Sequence, residues 1–97
     1  MQHAYVHAKD VRPDVLAQAL RERWSFLDAV VAGVYTAPGD GCLDFTAALR
    51  PVAEAGYAGW LIVEAEQDPA KAHPLTYAKA GYAHLRTAAG AAGFSTA

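Results

Sequence analysis

Two stretches of the chain alternate apolar and polar positions with period two, the spacing of a strand whose side chains point to opposite faces. In Ala4 to Lys9, AYVHAK, Tyr5, His7 and Lys9 share one face and Ala4, Val6 and Ala8 the other. In Trp60 to Glu64, Leu61 and Val63 oppose Trp60, Ile62 and Glu64. Each stretch predicts a strand with one small or aliphatic face, suited to lie under helices. The opposite face ends in a polar group.

Between and after these strands the spacing turns helical. Pro13 suits a first helical position, and Val15, Leu16, Ala19, Leu20 and Trp24 recur on one side. Ser25-Phe26-Leu27-Asp28 resembles a capping box, opening a short helix through Val31 that Gly33 ends. Pro38-Gly39-Asp40-Gly41 has loop composition. Asp44 caps a further helix carrying Phe45, Leu49, Val52 and Ala53 and closed by Gly56. Pro51 lies inside it, where a proline costs about 3 kcal/mol or more, so a kink or a break into two turns is expected there. Pro74 begins a last helix with Leu75, Tyr77, Ala78, Tyr82 and Leu85, and the tail from Gly90 is expected to fray.

The order is strand, helices, strand, helix. Such βαβα crossovers join parallel strands, so the expected fold is α/β, two adjacent parallel strands with helices on one side. That arrangement leaves the other sheet face uncovered. A free-standing domain is not normally built this way.

Composition narrows the function classes. Ninety-seven residues allow one domain at most, and 54% hydrophobic content argues against disorder. A net charge of −2 and the lack of a basic run give no case for nucleic acid or a membrane surface. No apolar run approaches the roughly 20 residues that span a bilayer. The start, MQHAYVHAKD, lacks the pattern of a signal peptide, and the single cysteine, Cys42, cannot form an internal disulfide. A cytoplasmic protein is the resulting expectation.

Candidate chemistry gathers where the strands end, because in α/β barrels functional groups sit at the βα loops. His7 and Lys9 stand at that end of the first strand and Glu64 at that end of the second. An imidazole and a carboxylate facing one interior can share a divalent cation, and a nitrogen-plus-oxygen set suits Mn²⁺, Co²⁺, Mg²⁺ or Zn²⁺. On spacing alone, a strand-end histidine such as His7 is more often a hydrogen-bonded structural group, and a terminal glutamate such as Glu64 more often a salt-bridge partner or helix cap. Glu64 with Glu66 is equally a solvated strand end. Lys9, Asp10 and Arg12 can grip an oxygen-rich substrate or form a surface charge cluster. Pro38 to Gly41 lacks the strand and glycine spacing of a phosphate loop. His3, His73, His84 and Cys42 carry no supporting pattern and read as ordinary residues.

Three segments carry a resemblance: VHAKDVRPDVL (Val6 to Leu16), SFLDAVVAGVYTAPGDGCLDF (Ser25 to Phe45) and AGYAGWLIVEAEQDPAKAHPLTYA (Ala55 to Ala78). In order, and over nearly the whole chain, they resemble the carboxyl-terminal part of the inosose dehydratase family, among the xylose-isomerase-like TIM barrels. EAEQDPAKA, Glu64 to Ala72, is the most specific piece. The resemblance implies the last two βα units of a barrel of about 250 residues, with residues 1–97 forming an incomplete domain. It implies a divalent metal, Mn²⁺ or Co²⁺, held by Glu, Asp, His and Glu from four strand ends. His7 matches the histidine ligand and Glu64 the final glutamate, which also serves as the catalytic proton-transfer group. Lys9 and Arg12 match, more loosely, substrate-binding positions, and Glu66 a supporting group beside the ligands. The first glutamate and the aspartate belong to earlier strands.

The implied reaction is a carbon–oxygen lyase step, removal of water from a cyclic polyol ketone (inosose) in inositol catabolism. A metal would polarise the ketone while a carboxylate takes the adjacent proton. With half of the ligands, this chain is expected to bind metal weakly and to be inactive alone. It is expected to self-associate or to join an amino-terminal segment. Two other readings remain: a sugar isomerase or epimerase of the same superfamily, or a non-catalytic, self-associating module.

Overall fold

The computed structural model describes residues 5–65 and 67–95. Strand β1 is Tyr5–Ala8, β2 Asp10–Val11, β3 Tyr35–Thr36 and β4 Trp60–Val63; helix α1 is Pro13–Glu22, α2 Phe26–Ala32, α3 Phe45–Glu54 and α4 Pro74–Ala92. β1 and β4 pair in parallel, with Tyr5 opposite Trp60, Val6 opposite Leu61, His7 opposite Ile62 and Ala8 opposite Val63. The expected α/β layout with one parallel pair is therefore present, as in part of a TIM barrel.

The core lies on the aliphatic face of that pair. Ala8, Phe45, Leu49, Leu85, Ala88, Ala89 and Ala92 are buried together, with Val6, Leu61, Val63 and Phe94 packed against them. Helices α3 and α4 thus cover the Val6/Ala8 and Leu61/Val63 side. Alanine is what lets α4 lie close: Ala89 is fully buried, and a bulkier side chain there would push the helix off the sheet. The other face stays open. Tyr5 is 59% exposed and Trp60 70%.

Local chemistry accounts for most boundaries. Pro13 opens α1. The Ser25 hydroxyl accepts from the Asp28 amide (3.1 Å) at the start of α2, and Gly33, at φ 96°, ends it. The Asp44 carboxylate accepts from the Ala47 amide (3.0 Å) to start α3.

Six details differ from the sequence expectations. Strand β1 ends at Ala8, short of Lys9, and Ala4 lies outside the described residues. Helix α1 stops before Trp24, because Arg23 turns left-handed (φ 54°) and the Trp24 amide bonds back to Ala19. Helix α3 runs unbroken through Pro51. Pro51 is exposed and falls in the last turns, where it removes a single helical donor, while Phe45 and Leu49 anchor the helix in the core. Helix α4 continues past Gly90 instead of fraying. Ala92 is buried, and Gly93 (φ 114°) caps the end with the Phe94 amide bonded to the Ala89 carbonyl (3.0 Å). The fourth strand stops at Val63, although the Glu64 amide still donates to Ala8 (2.9 Å). Finally, β2 and β3 form a short antiparallel pair, Asp10 with Thr36 and Val11 with Tyr35, where no strand was expected. Among the described residues, no helix is long and apolar enough to cross a membrane.

Candidate functional site

Parallel pairing in this register brings the carboxyl ends of β1 and β4 side by side. His7 projects from the open face of β1, and Glu64 follows β4 directly. His7 Nδ1 and Glu64 Oε2 are 2.9 Å apart, a bond across 57 positions of sequence. With Glu64 ionised, this bond places a proton on Nδ1, and a cation shared by the two side chains would take that proton's place between Nδ1 and the carboxylate. The Lys9 ammonium stands 3.7 Å from Glu64 Oε1. The hydrogen bond from His7, aided by the nearby Lys9 charge and opposed by partial desolvation, holds the Glu64 carboxyl below its ordinary pKa. The His7 side chain is 56% exposed and that of Glu64 36%, so both are open to a solute.

Arg12 stands apart from this pair. Its guanidinium donates to the carbonyl of Gly33 (2.8 Å), to Thr36 Oγ1 (3.1 Å) and to Asp40 Oδ2 (3.0 Å). Thr36 is fully buried; its hydroxyl donates to Asp40 (2.7 Å) and accepts from Gln67 Nε2 (3.4 Å). The segment after β4 is thereby tied to β3 and to the start of α1. Arg12 is part of the frame around the site. Glu66 lies outside the described residues.

Asp10 is fully buried rather than part of a surface charge cluster. One carboxylate oxygen accepts from the amides of Val11 (2.9 Å) and Leu43 (3.0 Å), the other from those of Gly39 (3.0 Å) and Gly41 (3.1 Å). Four amide donors replace the water that a buried carboxylate loses. A side chain at Gly41 would collide with the Asp10 carboxylate and the Val11 carbonyl, so the loop needs glycine there. The sequence signal was a PGDG loop whose glycine amides need an acceptor, its own Asp40 being taken by Arg12 and Thr36. The loop's partner lies about 30 positions away, beyond any local pattern. Tyr35 also escaped notice; its ring sits 4.4 Å from the Lys9 ammonium. His73, read as an ordinary residue, caps α4, its Nδ1 accepting from the Thr76 amide (3.3 Å).

A cavity of about 650 Å³ lies between Leu61, Val63, Tyr82, Leu85, Ala89 and Phe94. Leu61 and Val63 belong to the helix-covered face, so this groove opens on the opposite side of β4 from Glu64.

The donor set at the strand ends fits part of a divalent-metal shell. One imidazole and one carboxylate converge beside open solvent, and nitrogen-plus-oxygen donors suit borderline and hard cations. Among the described residues, no group of three or more His, Cys, Asp or Glu side chains gathers at one point. His7 and Glu64 are two donors, not a full shell.

Comparison with known proteins gives this geometry a context. Residues 2–88 match the family model described as xylose isomerase-like TIM barrel. The chain is 58% identical over 90 residues to the rhizopine catabolism protein MocC of Rhizobium meliloti, covering 93% of this chain and 28% of that protein. It is 59% identical over 75 residues to the inosose dehydratase of Geobacillus kaustophilus, covering 77% and 24% respectively. To the inosose dehydratase of Klebsiella pneumoniae it is 49% identical over 86 residues, covering 89% and 29%. The chain thus spans about a quarter of the length of the curated relatives it matches. The matched residues include all four described strands together with His7 and Glu64, and with that extent of match the chain belongs to the xylose isomerase-like TIM barrel family.

Proposed function

We propose that this chain forms the last two βα units of a cytoplasmic, metal-dependent inosose dehydratase, a carbon–oxygen lyase acting on a cyclic polyol ketone. The observation that carries the proposal is the convergence of His7 and Glu64, 2.9 Å apart at the carboxyl ends of neighbouring parallel strands. Relatives named inosose dehydratase support the substrate class.

His7, through a neutral ring nitrogen, and Glu64, through its carboxylate, would hold Mn²⁺ or Co²⁺ together with donors from other strands of a complete barrel. The bound metal supplies Lewis-acid polarisation of a carbonyl oxygen. Glu64 is ionised at neutral pH as an exposed glutamate ordinarily is, and His7 and Lys9 extend that charge further into acid. In this reading the carboxylate both ligates and accepts the proton beside the ketone, as a base weakened by those two contacts. The departing β-hydroxyl leaves as water with a proton from a general acid. In this reading Lys9, whose ammonium stands 3.7 Å from Glu64, would donate to a substrate oxygen. Glu66 is proposed as a supporting group beside the ligands. Arg12 acts, in this reading, by holding the frame through Thr36 and Asp40.

Titration calorimetry with Mn²⁺ tests the ligand assignment. Weak heat is expected from the unmodified chain, lost in both His7→Ala and Glu64→Gln and kept in Glu66→Gln. Mn²⁺ heat that survives both ligand substitutions would contradict it.

A further inference from the structure

A lysine ammonium rides on four flexible carbons, so its location beside a carboxylate needs something else to restrict it. At this site an aromatic ring does so. Lys9 Nζ lies 4.4 Å from the centroid of the Tyr35 ring, within cation–π range, while also 3.7 Å from Glu64. The ring is itself fixed twice. Tyr35 pairs with Val11 in the β2–β3 ladder, two positions after Lys9. On its side the Phe26 ring packs against it, 6.0 Å between centroids and tilted by 53°. The Lys9 side chain is 26% exposed, so it is held against the protein along most of its length.

We infer that Tyr35 is a positioning residue: its ring, backed by Phe26, fixes the Lys9 ammonium at the edge of the His7–Glu64 pair. This role deepens the reading of that pair as a metal-ligand site and rests on it. Because the ring face does the holding, Tyr35→Phe keeps the effect and Tyr35→Leu removes it.

NMR of the labelled 97-residue chain reads this in two independent ways. A cation above a ring carries a ring-current shift, so the Lys9 ε-methylene signals should lie upfield of those of Lys71 and Lys79. Substoichiometric Mn²⁺ should broaden the signals of both His7 and Lys9. Tyr35→Leu should abolish the upfield shift and reduce the Mn²⁺ broadening of Lys9 while leaving that of His7, and Tyr35→Phe should retain both signatures. Lys9 signals coincident with Lys71 and Lys79 in the unmodified chain overturn the inference, whether or not the leucine variant folds. So does equal Lys9 broadening in the unmodified and Tyr35→Leu chains, or loss of the shift in Tyr35→Phe. Mn²⁺ that leaves His7 unbroadened refutes the metal reading instead, and the ring-current comparison then still decides the role of Tyr35.

Discussion

Glu64 shows how one side chain acquires its properties from a fold. Its neighbours in sequence are Val63 and Ala65, yet the groups that set its charge are His7 and Lys9, which arrive through strand pairing. Their combined effect lowers its pKa, so it stays ionised further into acid than a free glutamate. The sign follows: the contact contributes stability above the ordinary carboxylate range and loses it as pH falls through the lowered value. A carbon-detected titration of the Glu64 carboxyl should give a midpoint below the ordinary one, moving upward in His7→Ala. A midpoint indifferent to His7 would mean that the bond does not persist in solution. The alternation of both strands was enough to place His7 and Glu64 on one face. It could not assign Asp10, whose environment comes from a loop 29 to 33 residues away. Asp10→Asn should destabilise the fold by about 2–3 kcal/mol, since the amide offers one acceptor oxygen where two are used. Urea unfolding followed by tryptophan fluorescence measures this, and a loss under about 0.5 kcal/mol would contradict the buried role.

Elements with a long period were legible, and those without one were not. The two four-residue strands and the helices opened by Pro13, Ser25, Asp44 and Pro74 follow from alternation and capping. The two-residue strands β2 and β3 are too short to have a period, and Asp10, Arg12 and Thr36 hold them in place. Pro51 and the Gly90 region misled for a shared reason: local propensity argued for a break, and packing of Leu49, Ala89 and Ala92 outweighed it. Gly93 then becomes the true end of α4, in a left-handed conformation that costs an L-residue about 1–2 kcal/mol. Gly93→Ala should lower stability by about that amount and speed hydrogen exchange at the Phe94 amide. Unchanged exchange would show that the cap does not hold the last turn.

On the scale of the molecule, the sheet is unfinished among the described residues. A compact domain of this length has a radius of gyration near 12.5 Å, against 14.6 Å here, with extents of 41 × 26 × 25 Å. Tyr5 and Trp60 are exposed on the open sheet face. Unpaired strand edges and exposed aromatics favour association, so the sedimentation coefficient should rise with protein concentration. A compact monomer at all concentrations, melting cooperatively at high temperature, would contradict that expectation. The proposal that His7 and Glu64 belong to the metal centre of an inosose-dehydrating barrel is decided by joining the chain to the complementary strands of the Geobacillus kaustophilus relative and assaying dehydration of inosose with Mn²⁺. The joined barrel should turn over, and Glu64→Gln within it should reduce the rate by about 10²-fold or more, the range for losing a proton-transfer group. Equal turnover with Gln at position 64 would remove Glu64 from the chemistry and leave it a strand-end ion-pair partner of His7 and Lys9.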